Sequence, residues 1–241
     1  MIREEKDIRY TENCALDVLR PAGGYKKVLL YFHGGGLVSG DKSETHSREV
    51  GRMMAERGIC FVTANYRLLP EAAFPACIED AARAVAYIKA EVAAGRELYV
   101  WGQSGGGYLA LMLALCGKYL AAAGASVRDV AGWFIESAQP TVHFSVLKYR
   151  GEDERLVRID ESAPLYFLGS VSLPKMHLIV YDDDMPCRYE QNMLFYKTAL
   201  HFEPQAPLTV QTLPGTHCRA CLCEAERPLF VRALETFMGE E

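Results

Sequence analysis

The stretch Leu98-Tyr-Val-Trp-Gly-Gln-Ser-Gly-Gly-Gly107 constrains this chain more than any other. Its apolar opening, Leu98 to Trp101, reads as a buried strand. A strongly helix-prone run, Leu109 to Leu115, follows almost at once. Between them Gly102 and Gly106 bracket Ser104 in the order G-x-S-x-G. A serine at the apex of so tight a strand-to-helix turn needs neighbours without a Cβ, so that strand and helix can approach closely. The pattern is that of a nucleophile elbow, which holds a hydroxyl clear of the backbone. Glycine and serine are common in any turn, so the rest of the chain must supply the partners that would make such a hydroxyl reactive.

The rest of the chain alternates strand and helix. Residues 8–19 read as a hairpin at a sheet edge, turning at Glu12-Asn13, and Val28 to Phe32 as a central strand buried on both faces. Helices are expected over Ser43 to Arg57, from Pro75 to about Ala94, from Arg188 to Leu200 and from Glu226 to Met238. Strands are expected over Ile59 to Ala64, Val130 to Ile135, Lys175 to Tyr181 and Pro207 to Leu213, with Pro214-Gly-Thr-His217 as the loop after the last. This alternation implies an α/β fold with a mainly parallel central sheet and helices on both faces. At 241 residues, without a repeat or a linker, the chain is expected to form a single domain, 1–241. The polar, irregular stretch at about 139–171 is its one candidate lid insertion.

Composition narrows the function classes. A net charge of −5 with no basic stripe argues against nucleic acid as a partner. No apolar run approaches the roughly 20 residues of a membrane span, and the charged start, Met1-Ile-Arg-Glu-Glu-Lys-Asp, has no signal-like apolar stretch after it. A cytoplasmic protein is expected. Of the eight cysteines, Cys60, Cys77 and Cys116 sit in apolar patterns and read as reduced core residues. Cys218, Cys221 and Cys223 follow His217 closely, and Cys-x-x-Cys is a spacing that zinc uses. With one such pair and no second, loop cysteines or redox-sensitive thiols are the simpler reading, and no metal is expected.

On a parallel sheet, the glycine-rich loop at His33-Gly-Gly-Gly36, Ser104, the cluster Asp182-Asp-Asp184 and His217 all follow the carboxyl ends of strands. That edge is where open α/β sheets place their sites. A serine hydroxyl is a poor nucleophile alone; a histidine can take its proton, and a carboxylate can fix the imidazole tautomer. The candidates are therefore Ser104, His217 and one of Asp182, Asp183 and Asp184. His33 reads as a brace for the glycine loop.

These residues resemble the α/β-hydrolase superfamily, and in it the carboxylesterase group that includes hormone-sensitive-lipase-like esterases and short bacterial acetyl or feruloyl esterases. The matching pieces are His33-Gly-Gly-Gly36, Tyr66-Arg-Leu-Leu-Pro-Glu71, Phe74-Pro-Ala76, Glu79-Asp80, Gly102-Gln-Ser-Gly-Gly106, Asp184 and His217. The resemblance implies an α/β-hydrolase fold, Asp184 as the acid (Tyr181 taking the place of Gly in a Gly-x-x-Asp register), and an oxyanion hole from the backbone N–H groups of Gly35, Gly36 and Gly105. Leu37 replaces an aromatic residue of many relatives, and Gln103 and Gly105 replace the Asp and Ala of the lipase-like branch. With little chain before the glycine loop, little or no cap is expected. The implied activity is serine-dependent hydrolysis of short-chain or aromatic acyl esters through an acyl-enzyme, on a small-molecule ester and without a cofactor. An arylformamidase or peptidase could use the same triad, and a non-catalytic small-molecule-binding protein could use the same fold. A homodimer would cover apolar surface left by a missing cap.

Overall fold

Solid apolar runs become the middle of the sheet, and amphipathic runs become the helices that cover it. The structure, a computed structural model, describes residues 1–239. In chain order the elements are β1 (Ile2–Arg9), β2 (Ala15–Pro21), β3 (Lys27–Phe32), α1 (Thr45–Glu56), β4 (Cys60–Ala64), α2 (Ala76–Tyr87), β5 (Glu97–Gln103), α3 (Gly105–Leu115), α4 (Lys118–Ala122), β6 (Gly132–Glu136), α5 (Phe144–Tyr149), β7 (Met176–Asp183), α6 (Arg188–Phe202), β8 (Leu208–Thr216), α7 (Arg219–Leu222) and α8 (Arg227–Met238). The strands form one sheet in the order β1-β2-β4-β3-β5-β6-β7-β8. β1, β2 and β4 pair antiparallel, and all pairs from β4 across to β8 are parallel, which is the mainly parallel sheet that the alternation of strand and helix predicts.

Successive strand residues point to opposite faces, and the two faces carry different chemistry. Val28, Leu30, Val62, Leu98, Val100 and Ile135 pack with α2 and α3 into an aliphatic layer. Leu29, Tyr31, Phe61, Tyr99, Trp101, Phe134 and Tyr181 pack with α1 and α8 into a layer rich in aromatic rings. Every residue of α3 is buried, so this helix needs no polar face.

Four details depart from the sequence reading. The edge hairpin is longer than expected because β1 begins at Ile2; its charged, exposed residues give no apolar alternation to read. The helix expected to reach Ala94 does so, but it widens into a π-helical turn over Ile88–Ala93 before ending on left-handed Ala94. The last strand does not stop at Leu213. β8 continues to Thr216, because Asp183 still pairs with Thr216 beyond an irregularity in the register. The stretch 139–171, read as polar and irregular, contains α5 and a 3-10 turn over Pro164–Phe167, and Thr141, Val142, Val146, Leu147 and Ala163 within it are wholly buried. Among the described residues no helix is long and apolar enough to cross a membrane.

Gly51 shows how tightly α1 lies on the sheet: a Cβ there would stand 2.2 Å from the ring of buried Phe61 on β4. In an exposed helix, alanine is preferred over glycine by about 1 kcal/mol. Here overpacking against a ring with no free space costs about 1–3 kcal/mol and should win. Gly51→Ala is expected to lower Tm by roughly 2–6 °C in thermal unfolding; a raised Tm would show that the helix can shift freely.

Candidate active site

β5 delivers its last residues into the turn that the sequence pattern predicts. Ser104 has φ 52° and ψ −112°, in the left-handed φ range that a side chain rarely adopts. The flanking glycines explain how the strain is held. A Cβ on Gly102 would lie 2.3 Å from the carbonyl oxygen of Gly106, and one on Gly106 would lie 2.0 Å from that of Phe32 at the end of β3. Neither position can carry a side chain without pushing α3 off the sheet. The Ser104 N–H donates to the Glu136 carbonyl on β6 at 2.8 Å, which fixes the turn from the other side.

His217 follows β8 directly and reaches back over the sheet edge. Its Nε2 lies 2.8 Å from Ser104 Oγ, and its Nδ1 lies 2.5 Å from Asp184 Oδ1. Asp184, just past β7, is almost wholly buried, with a side chain 1% exposed. Its Oδ2 accepts from the Ser137 hydroxyl at 2.8 Å, and its Oδ1 also accepts from the Met185 N–H at 2.7 Å. Burial pushes the Asp184 pKa up, but the hydrogen bond and charge of His217, the Ser137 hydroxyl and the Met185 amide outweigh it. The carboxyl is therefore held below its ordinary range and stays ionised. Asp182 and Asp183 are exposed: Asp182 accepts from the Gly215 N–H at 2.8 Å, and Asp183 belongs to the strand pairing. Of the three adjacent aspartates, only Asp184 meets the imidazole.

The glycine loop after β3 runs alongside. Gly35, Gly36 and Leu37 all have positive φ, at 88°, 62° and 66°. A Cβ on Gly105 would stand 3.2 Å from Gly36 N and 3.0 Å from Leu37 N, so the loop amides and the start of α3 converge beside Ser104. The loop is held by its neighbours. Val38 and Ser39 N–H both donate to the Gly35 carbonyl, and Leu69 N–H donates to that of Leu37. The Tyr66 hydroxyl donates to the carbonyls of His33 and Gly34 at 2.9 and 3.2 Å, while its ring stacks on His33 at 4.3 Å. Burial pushes the His33 pKa down, so the imidazole is neutral where it braces the loop. Next to Tyr66, Arg67 clasps buried Asp80 of α2 through Nε and Nη2, at 2.6 and 2.8 Å. Tyr66, Arg67 and Asp80 thus form a scaffold for the glycine loop.

Several residues of the site carried no sequence signal. The Phe144 ring would lie 3.0 Å from a Cβ on Gly36, and the Ser145 hydroxyl donates to the Gly36 carbonyl at 2.5 Å. α5, part of the stretch expected to be irregular, therefore supports the glycine loop. Buried Arg188 donates to the Ser137 carbonyl at 2.9 Å and steadies the residue that bonds Asp184. No spacing motif marks any of these positions.

The cysteines near His217 are free thiols; Cys218 and Cys221 are buried. Both ring nitrogens of His217 are engaged by Asp184 and Ser104, and Cys221 Sγ accepts from the Gln103 amide at 2.6 Å. Among the described residues, no three His, Cys, Asp or Glu side chains are placed to hold a metal ion. A groove of about 1060 Å³ between β8 and α8, floored by Leu213, Leu229, Phe230 and Phe237, touches none of Ser104, Asp184 or His217.

The chain is similar in part to known esterases. The model of the family described as BD-FAE matches residues 16–131. Esterase LipI of Mycobacterium tuberculosis is 40% identical over 94 residues, which is 36% of this chain and 28% of that protein. Probable carboxylesterase 6 of Arabidopsis thaliana is 31% identical over 160 residues, 63% of this chain and 45% of that protein. Each match thus spans less than half of the relative's own length. Esterase B of Lactobacillus rhamnosis shares the fold with a TM-score of 0.79 at 19% identity, over 99% of this chain and 85% of the other. Esterase 2 of Thermogutta terrifontis shares it with a TM-score of 0.78 at 17% identity, over 98% and 93%. With its sheet order and its elbow, the chain has the α/β-hydrolase fold of these esterases, and part of its sequence is similar to the named carboxylesterases.

Proposed function

We propose that this protein is a serine carboxylic-ester hydrolase that acts on short-chain or aromatic acyl esters through an acyl-enzyme. The observation that carries the reading is the unbroken relay from Asp184 Oδ1 through His217 to Ser104 Oγ, at 2.5 and 2.8 Å, on a serine held in a left-handed turn. Ser104 Oγ attacks the ester carbonyl as His217 Nε2 takes its proton. Ionised Asp184 keeps the Nδ1–H tautomer and steadies the imidazolium that forms. The carbonyl oxygen, now an oxyanion, is received by the backbone N–H groups of Gly35, Gly36 and Gly105; one such donor is worth about 10²–10³ in rate. His217 returns the proton to the leaving alkoxide, and the alcohol departs. Water, deprotonated by the same imidazole, then attacks the acyl-enzyme and releases the acid and free Ser104.

The half-buried Phe144 ring against Gly36 supports the preference for short or flat acyl groups, because it narrows the space beside the oxyanion amides. We read the chain as one domain, with 139–171 as an insertion that shapes the acyl side through α5.

On p-nitrophenyl acetate, Ser104→Ala is expected to lose roughly 10⁴- to 10⁶-fold in kcat, and Asp184→Asn about 10⁴-fold. Asp183→Asn should stay within about threefold of wild type, since an exposed strand carboxylate contributes little to the site. Full activity in Ser104→Ala, or a larger loss in Asp183→Asn than in Asp184→Asn, would overturn the assignment. A panel of acetyl, butyryl, feruloyl and formyl-amide substrates distinguishes esters from formamides. In a second experiment, Phe144→Ala is expected to raise kcat/KM for octanoyl over acetyl esters by roughly tenfold, as removal of a few buried methylene-sized contacts allows. An unchanged ratio would place the acyl group elsewhere.

A further inference from the structure

β6 ends in Glu136, whose side chain is wholly buried and has no ion pair among the described residues. Its carboxyl sits where three segments of the site meet. Oε1 accepts from the Tyr181 hydroxyl on β7 at 2.8 Å, and Oε2 accepts from the Trp101 indole N–H on β5 at 3.3 Å. Cys221 on α7, whose thiol donates to the Cys218 carbonyl at 3.4 Å, interacts electrostatically with the same group. Each partner leads on to the relay. The Tyr181 hydroxyl accepts from the Ala220 N–H at 3.0 Å, three residues after His217. Cys221 Sγ accepts from the side chain of Gln103, the residue before Ser104, at 2.6 Å. The backbone carbonyl of Glu136 holds the Ser104 N–H, and its neighbour Ser137 holds Asp184.

We propose that Glu136 is a positioning residue of this site, a buried carboxyl that ties the segment carrying His217 to the strand that ends in Ser104. The inference rests on the hydrolase reading above. A carboxyl buried without a counter-charge is costly compared with an apolar side chain of the same size. What it gives in return is two directed contacts, one through Tyr181 to Ala220 behind His217 and one to the Trp101 indole on β5, the strand that ends at Gln103 next to Ser104. The 2.8 Å separation of Nε2 and Oγ depends on that register. A displacement of about 1 Å at a reacting pair costs about 10²-fold in rate.

The titration of this carboxyl supplies a readout that packing alone would not. Burial pushes its pKa up to about 8; hydrogen bonds from Tyr181 and Trp101 offset part of the rise, and the charge of Asp184 adds to it. The groups facing it are Tyr181 on β7, Tyr31 on β3, Cys218 and Cys221 after His217, and Asp184 past β7. Burial pushes the two phenols and two thiols up, so Asp184 is the ionised neighbour. The folded chain holds the Glu136 proton more tightly than the unfolded chain. Its stabilising contribution is therefore full below the ordinary carboxyl range and is lost as pH rises through about 8. Above that pH a second negative charge stands behind the relay and the tie loosens.

The test compares wild type, Glu136→Leu and Glu136→Gln, the last isosteric with the protonated acid. Steady-state hydrolysis of p-nitrophenyl acetate and the rate of Ser104 labelling by a fluorophosphonate are followed from about pH 6 to about pH 9.5, a window that brackets the titration of the buried carboxyl. In Glu136→Leu, kcat and labelling are expected to fall about tenfold to a hundredfold with KM within about threefold. Glu136→Gln should restore both to within about threefold at about pH 7 and lack the decline expected of wild type above about pH 8. A folded Glu136→Leu with wild-type kcat, or a Glu136→Gln that keeps the same alkaline decline, would overturn the proposal. If Glu136→Leu does not fold, the pH profile of Glu136→Gln decides alone. If wild type neither turns over nor is labelled, the hydrolase reading falls, and ¹⁵N shifts of the His217 ring decide the inference separately. A second inflection near pH 8 in wild type that is absent in Glu136→Gln is expected; identical titrations would reject it.

Discussion

The close approach of the Ser104 turn to the end of β3 is the constraint on which the site depends. Gly106 lies so near the Phe32 carbonyl that no Cβ fits between them, and Gly102 is pressed against Gly106 in the same way. That contact presses the start of α3 onto the sheet, and a helix so placed must be apolar all round, as α3 is. It also forces Ser104 into its left-handed φ, which lifts the hydroxyl above the sheet edge. The surrounding hydrogen bonds hold the strained turn in place, from the Glu136 carbonyl on one side and the Tyr66-braced glycine loop on the other.

Parallel strands then bring distant residues to that hydroxyl without further machinery. β7 and β8 run beside β6 and end at the same edge, so Asp184 and His217 arrive together though they lie 33 residues apart. Electrostatics divides the two carboxyls of the site. Asp184 is surrounded by donors and stays ionised against its burial, whereas Glu136 is buried with weaker compensation and is pushed up to about 8. A single negative charge next to the imidazole is what a histidine acting as base requires.

Much of this was legible in the sequence because it rests on local rules. The elbow, the glycine loop from His33 to Gly36, and the strand–helix alternation are each carried by turn chemistry or apolar periodicity over a few residues. The three adjacent aspartates could not be separated by such rules; the choice of Asp184 depends on where β7 ends and on Ser137 and Met185, which only the fold brings into place. α5 was illegible for another reason. Its buried residues, Ser145, Val146 and Leu147, are consecutive, so they show no clean helical stripe. Glu136, a lone acidic residue at the end of an apolar run, gave no motif at all. Its meaning lies in Trp101 and Tyr181, which are far from it in sequence.

The central claim is that Ser104 carries the acyl group during turnover. Acid-quenching the protein during steady hydrolysis of p-nitrophenyl acetate, followed by peptide mapping by mass spectrometry, tests it directly. An acetyl adduct on Ser104 that disappears when substrate is exhausted is the expected result. Continued turnover with Ser104 unmodified, or an acetyl group that maps to another residue and decays at the rate of turnover, would contradict it.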